Sequence, residues 1–405
     1  MASIRRFLVL LVLILAAPAA AWAQDKPPVT ILISMDGFRA DYMSRGITPN
    51  LSALAQAGAT APGGMRPSFP SLTFPNHYTL VTGLRPDRNG VVDNVMRDDR
   101  KPGMTFGMGK AEMVTDGFWW DEAEPIWVTA QNQSILTATM FWPGSEAEIR
   151  GVWPTYYKHY DKDFLAPDRV NQVLAWLDLP ADKRPQLITL YFDLVDTEGH
   201  HFGPDSPEVN AAVASTDAAV GQLVEGLKAR GLFERANLVI VADHGMAETS
   251  PDRLVFLDDV FDLTRLGQVT GGSMAEMNPA DPQALAAILG KHPHFECWKK
   301  AEVPERFHFG RNPRVPAVVC LAETGWLITT KTREAERPMK KIGGAHGYDP
   351  YDPKMAAVFI AEGPAIRRGA TVQSFDNVDI YPLLAKLAGV KPLQGDGAVP
   401  KGVLK

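Results

Sequence analysis

Val29-Thr30-Ile31-Leu32-Ile33-Ser34-Met35-Asp36-Gly37-Phe38-Arg39 sets the pattern from which the rest of the chain is understood. Its first seven residues form a short β-branched and aliphatic run, the pattern of a parallel strand buried on both faces. The run ends on a carboxylate, Asp36, followed by a glycine that lets the chain turn sharply. Alone, Asp36 would read as a turn or cap residue. The same grammar recurs at Leu187 to Phe192, which leads to Asp193 and Asp196, and at Leu238 to Ala242, which leads to Asp243 and His244. Ala356 to Ile360 is a fourth run of this kind.

Helical patterns lie between these runs. Thr48-Pro49-Asn50 opens one that passes through Leu51, Leu54 and Ala55 and stops at Gly58. Asp168 to Asp178 places Val170, Val173, Leu174 and Leu177 on one face, and Pro207 to Arg230 is a long helix with Val213, Val220, Leu223 and Leu227 among its apolar positions. The alternation predicts an α/β fold: a doubly wound, mostly parallel sheet sandwiched by helices, with strand-end side chains converging on one edge. Residues 24–405 are read as a single catalytic domain. Two stretches break the alternation, at about 95–162, rich in Gly, Met, Trp and Tyr, and at about 246–344, rich in Pro and charge. Both are expected as insertions over the carboxyl edge of the sheet.

The 405 residues are 45% hydrophobic and 22% charged, which supports an ample core. Residues 1–23 carry Arg5 and Arg6, the apolar run Phe7 to Ala17 and the small-residue end Ala21-Trp22-Ala23. The run is short of the roughly 20 residues of a spanning helix, so a cleaved secretory signal peptide is expected, with periplasmic or secreted residence and no membrane anchor after cleavage. Losing both arginines takes the formal charge from −6 to about −8, which does not support a stable nucleic-acid complex. Small anionic substrates stay compatible, because bound cations can reverse the local field. The two cysteines, Cys297 and Cys320, read either as a disulfide or as two buried thiols, and neither has metal-ligand spacing.

Thr73 stands in Pro70-Ser71-Leu72-Thr73-Phe74-Pro75-Asn76-His77-Tyr78, a turn that delivers it to the first turn of a helix ending near Gly83. It reads as a cap or as a nucleophile, since metal coordination and the helix N-terminus can both stabilise its alkoxide. Asp196 and His200, four apart with Gly199 between, can reach one metal from a loop or a single helical turn, while Asp193 and His201 are open between second-layer and ordinary loop roles. Asp243 and His244 can share a metal only where their strand frays into a turn, which Gly245 permits. His346, in Gly343-Gly344-Ala345-His346-Gly347, lies in a glycine-dense turn that allows close approach or mere flexibility. Mixed Asp and His donors around a threonine suggest a two-zinc phosphoryl-transfer site.

In this order the segments resemble the nucleotide pyrophosphatase/phosphodiesterase family of the alkaline phosphatase superfamily. The resemblance runs from about Val29 to Leu387 and rests on Met-Asp-Gly-Phe-Arg, Pro-Ser-x-Thr-Phe-Pro-Asn-His, Gly-Leu-x-Pro-x-x-x-Gly-x-x-x-Asn ending at Asn94, Asp-x-x-Gly-His, Asp-His-Gly-Met and Gly-x-His-Gly. It implies an alkaline-phosphatase-like fold in which Asp36, Thr73, Asp243 and His244 hold one zinc and Asp196, His200 and His346 the other. Thr73 would be the nucleophile, forming a phosphothreonine intermediate, and Asn94 a donor to a non-bridging phosphate oxygen. Phe74 and Tyr191 are the expected aromatic faces for a substrate base, since matching aromatics sandwich the base in relatives. Nucleotide phosphodiesters and pyrophosphates cleaved to nucleoside 5′-monophosphates are the expected substrates. A choline-directed lipid phosphodiesterase, with a cage drawn from Trp119, Trp120, Trp127, Trp142, Trp153, Tyr156 and Tyr157, is the alternative, followed by a phosphonate hydrolase and, last, a non-catalytic zinc-binding protein.

Overall fold

Eight strands, β1 (Val29–Met35), β2 (Ala59–Thr60), β3 (Thr137–Met140), β4 (Tyr156–Lys158), β5 (Leu187–Phe192), β6 (Ala236–Val241), β7 (Phe359–Glu362) and β8 (Ala370–Thr371), form one sheet in the order β8-β2-β7-β6-β1-β5-β3-β4. The computed structural model of the protein describes residues 28–405, so the expected signal peptide lies outside the described residues. β1 sits between β5 and β6, in parallel register with both, Met35 opposite Phe192 and Ser34 opposite Val241. All three strands are buried along almost their whole length, as parallel strands covered on both faces must be. Their carboxyl ends therefore lie side by side.

Six helices matter for the site: α1 (Pro49–Ala57), α2 (Thr73–Thr82), α3 (Ala166–Leu177), α4 (Leu194–Phe202), α5 (Pro207–Ala229) and α6 (Ile380–Ala388). α5 packs on α1, α3 and α4, while α2 packs on α6. The start of α1 has no side-chain cap of its own. Instead Asp217, buried in the middle of α5, accepts from the Asn50 and Leu51 backbone N–H groups at 3.2 and 2.8 Å. A tertiary carboxylate thus satisfies the orphan donors at a helix N-terminus, where it also favours the helix dipole.

Two expectations change. The fourth run enters the sheet as Phe359–Glu362 and pairs antiparallel with β6, Phe359 opposite Val241. Ala356, Ala357 and Val358 are hydrogen-bonded to Ala40, Met65 and Phe38 in the loops beyond the carboxyl edge, so the chain enters from that edge and runs backwards. A parallel strand would have needed a return crossover of a dozen or more residues. The first supposed insertion, 95–162, is not wholly outside the sheet: it supplies β3 and β4, both parallel.

The second insertion carries an antiparallel sheet in the order Gly290–His292, Phe295–Lys299, Val318–Ala322, Met274–Met277. Ala275, Cys297, Val318 and Cys320 belong to a core of their own, and Met274, Val319 and Leu321 pack into the main one. Cys297 and Cys320 are directly opposite and form a disulfide, which resolves the two readings of the cysteines. Arg314, buried, ties both insertions together: it bonds Asp98 at 2.7 Å and the carbonyls of Gly90, Trp119 and Phe118. Among the described residues, no helix is long and apolar enough to cross a membrane.

Candidate active site

Asp36, Asp196, Asp243 and His244 all follow the carboxyl ends of β1, β5 and β6, and the parallel register alone brings them together. Gly37 makes the approach possible. It has φ +66°, and a Cβ there would lie 3.0 Å from the Cα of Asp196. Asp196 and His200 sit on α4, two turns of regular helix where the sequence suggested a loop or one turn, and the i, i+4 spacing aligns them on one face. Gly245 acts differently from expectation. A Cβ at that position would lie 2.0 Å from the Lys354 carbonyl oxygen, so it is close packing that excludes a side chain. His346 follows the strand Gly343–Ala345, paired antiparallel with Ala247–Thr249; a two-stranded ribbon, and no loose turn, delivers it.

The groups fall into two sets, Asp36 with Asp243 and His244, and Asp196 with His200 and His346, the donor atoms of each set within 4.8 Å of one another. His244 and His346 stack at 3.6 Å and join the sets, and the Thr73 hydroxyl lies 3.3 Å from His244 Nε2. Each imidazole is oriented alike. Nδ1–H donates to a backbone carbonyl, that of Gly344 for His200 at 2.8 Å, of Gly245 for His244 at 2.9 Å and of Ser71 for His346 at 2.9 Å. Every Nε2 is turned to the site: those of His200 and His346 stand 3.1 Å apart, and that of His244 lies 2.9 Å from Asp243 Oδ2.

The carboxylates show the same gap. Asp36 Oδ1, Asp196 Oδ1 and Asp243 Oδ2 are buried without a hydrogen-bond partner, whereas Tyr191 donates to Asp36 Oδ2 at 2.6 Å and Gly37 N–H to Asp243 Oδ1 at 3.2 Å. Burial, then Asp243 and Asp196, pushes the Asp36 carboxyl well above the usual range. Burial likewise raises Asp196 and, with His244 and His200, drives His346 well below the usual imidazole range. Burial opposes ionisation of Asp243, yet His244 and His77 hold it well below the usual carboxylate range. Orphaned carboxylate oxygens and facing lone pairs are a donor set that divalent cations would satisfy, and the residues present fit two of them.

Asn94 meets the start of α2 at Phe74, the residue after Thr73. Its Oδ1 accepts from the Phe74 N–H at 2.9 Å, which fixes the amide orientation and leaves Nδ2 as the donor. The same bond occupies the Phe74 N–H, so that group does not contribute to a helix-start anion site.

A cleft of about 630 Å³ opens over Thr73, lined by Phe74, Phe141, Trp142, Tyr160, Tyr191 and Asp193 among others. Tyr191 is 9% exposed and its hydroxyl holds Asp36, so it offers little face to a ligand. Tyr160, 47% exposed, offers one. It was not singled out from the sequence because nothing local distinguishes it among the tyrosines of its segment. Asp193 is paired with Arg169 at 2.6 Å and accepts from the Tyr160 hydroxyl at 3.0 Å, and His201 is outside both donor sets. Trp119, Trp120, Trp127 and Trp142 are almost wholly buried, which removes most of the supposed choline cage. Lys162 lines the cleft but is paired with Asp163 at 2.8 Å.

Residues 30–349 match the family model described as type I phosphodiesterase / nucleotide pyrophosphatase. An uncharacterized pyrophosphatase/phosphodiesterase of Schizosaccharomyces pombe is 38% identical over 387 residues, covering 92% of this chain and 79% of its own. The venom phosphodiesterase of Naja atra is also 38% identical, over 92% of this chain but 45% of its own length, so the chain spans less than half of such animal relatives. Murine ectonucleotide pyrophosphatase/phosphodiesterase 5 superposes with a TM-score of 0.85 at 32% identity, over 91% of this chain and 97% of that one, which confirms the alkaline-phosphatase-like fold. An inactive threonine-to-alanine variant of that murine protein has been solved in complex with AMP, with the same TM-score. The chain belongs to the type I phosphodiesterase / nucleotide pyrophosphatase family of enzymes.

Proposed function

We propose that the protein hydrolyses nucleotide phosphodiester and pyrophosphate bonds to nucleoside 5′-monophosphates through a phosphothreonine on Thr73. The observation that carries this reading is the Thr73 hydroxyl placed beside two sets of orphaned Asp and His donors at the floor of an aromatic-walled cleft. Asp36, Asp243, His244 and Thr73 would hold one zinc ion, and Asp196, His200 and His346 the other. When bound, the two ions would supply positive charge that acidifies the hydroxyl and offsets charge on the phosphoryl group. Thr73 Oγ1 attacks phosphorus; its bond to phosphorus forms as the bond to the leaving oxygen breaks, and water later cleaves the phosphothreonine, returning the hydroxyl. Asn94 Nδ2 donates to a non-bridging oxygen as charge develops. Phe74, next to Thr73, and Tyr160, the exposed tyrosine of the cleft, are the faces on which a base stacks, replacing Tyr191 in that role; an AMP-bound neighbour supports a nucleotide occupant.

Export is part of the same proposal. The disulfide Cys297–Cys320 supports an oxidising compartment, in keeping with a cleaved signal at residues 1–23, and the N-terminal sequence of the mature protein would test it.

The activity is tested by steady-state hydrolysis, by the zinc-loaded protein, of p-nitrophenyl thymidine 5′-monophosphate, p-nitrophenyl phosphate and p-nitrophenyl phosphocholine. A kcat/KM highest for the thymidine diester is expected. Preference for the phosphocholine ester would move the protein to lipid head groups, and preference for the monoester would remove the diesterase reading.

A further inference from the structure

His77 is a buried imidazole that the reaction above does not use. It lies on α2, four residues after Thr73, and is fully buried. Nδ1 stands 2.9 Å from the Thr73 carbonyl oxygen and 3.3 Å from Asp243 Oδ2, while Nε2 is 2.8 Å from the Ser34 hydroxyl on β1. Neither neighbour of Nδ1 can donate, so Nδ1 carries the proton; the hydroxyl of Ser34 can donate, so Nε2 accepts. That tautomer follows from the partners alone. The ring is also wedged edge-on between Trp142 at 5.0 Å and Tyr191 at 5.1 Å, and Trp142 Nε1–H donates to the His77 carbonyl at 3.1 Å. It has one orientation available.

Three elements of the site meet at this ring. Through Nδ1 it touches the backbone of the nucleophile and the carboxylate beyond β6; through Nε2 it touches β1, two residues before Asp36. On the far side of Asp243 the Gly37 N–H donates to Oδ1 at 3.2 Å. The other imidazole beside Oδ2 is that of His244, with Nε2 at 2.9 Å.

We propose that His77 is a positioning residue: its Nδ1–H is bonded to the Thr73 carbonyl and its ring edge stands 3.3 Å from Asp243 Oδ2, which keeps the carboxylate and the nucleophile facing the same donor set. The inference rests on the reading of Asp36, Asp243, His244 and Thr73 as one metal site, and it assigns to His77 the fixing of that site and not of the Asp196, His200 and His346 set. Outer-layer partners of this kind typically change metal affinity by about 10–100-fold when removed.

The test is competition of apoprotein with a chromogenic chelator for zinc, resolved into two sites, with thermal unfolding of each variant alongside. Asparagine places its amide nitrogen near the position of Nδ1, and glutamine places its amide group near that of Nε2. His77→Asn is therefore expected to bind zinc within about threefold of the parent at both sites. His77→Gln is expected to weaken one site about tenfold or more, leaving the other unchanged, at near-parent unfolding temperature. Equal affinities in all three proteins would overturn the proposal, as would equal loss in both variants or at both sites. Should His77→Gln fail to fold, His77→Ala takes its place beside His77→Asn: a loss of about tenfold at one site in the alanine variant alone supports the proposal, and equal affinities in the two variants overturn it. A parent that takes up no zinc would instead overturn the metal reading itself, so the two failures are distinct.

Discussion

Thr73 and Tyr191 show how much a single residue's role depends on what faces it. Thr73 is half of a local pattern, helix start plus hydroxyl, that describes a cap equally well; the group beside its oxygen, His244, comes from the end of β6. Thr73→Ala is expected to reduce diester turnover by at least about 10³-fold with zinc content and melting temperature close to the parent's, checked by single-turnover assay, metal analysis and calorimetry. Retained turnover would exclude Thr73 as nucleophile. Tyr191, expected to stack on a base, is instead an outer hydrogen-bond donor to Asp36. Tyr191→Phe keeps the ring and removes only that bond. Its expected signature is weaker zinc binding, by about tenfold, with KM for a nucleoside diester within about twofold of the parent once zinc is saturating. A raised KM under those conditions would restore the stacking role.

At the scale of elements, the strands with strong apolar runs were legible because burial on both faces leaves a run of aliphatic residues and little else. β1, β5 and β6 are close to their expected spans, as are α3 and α5. β3, β4 and the direction of β7 were not legible. Thr137–Met140 and Tyr156–Lys158 are short and compositionally like the loops around them, and nothing local states from which edge β7 enters. The start of α1 makes the same point: its cap is Asp217, 167 residues distant in sequence, and no window around Asn50 contains that signal. Asp217→Ala is expected to cost on the order of 2 kcal/mol, because two backbone donors and the Asn50 amide lose a buried acceptor at once. Urea unfolding would read this as a lower midpoint at unchanged slope; an unchanged midpoint would mean that water replaces the carboxylate at no cost.

For the whole molecule, the placement of the antiparallel sheet of the second insertion against the main core sets the electrostatics behind Asn94. Glu276, 3% exposed on Met274–Met277, has one carboxylate oxygen without a partner, and burial and then Asp93 push its carboxyl well above the usual range. Burial pushes Asp93, next to Asn94, up to about 6. An acid whose folded value is raised stabilises the fold fully below its unfolded value, near 4, and that contribution is lost as pH rises through the folded value. The parent is therefore expected to lose stability between about pH 4 and pH 7 through this pair. Glu276→Gln removes one of the two acids, and its melting temperature should fall less over that window, by roughly a few degrees. Parallel pH dependence of parent and variant would show that the pair carries no such linkage.

The amino-acid order alone carries the family's motif residues and the central strands. The identity and order of Asp36, Thr73, Asn94, Asp196, His200, Asp243, His244 and His346 are written in short segments, and aliphatic runs place several of them at strand ends. Which groups share a donor set, that Tyr160 is far more exposed in the cleft than Tyr191, that Cys297 meets Cys320, and that His77 stands against Asp243 emerge from the folded chain alone. The physical reason is that a run of residues encodes its own burial and turning, whereas the atom facing a side chain is set by the register and packing of segments far apart in the chain, and only the folded sheet supplies these.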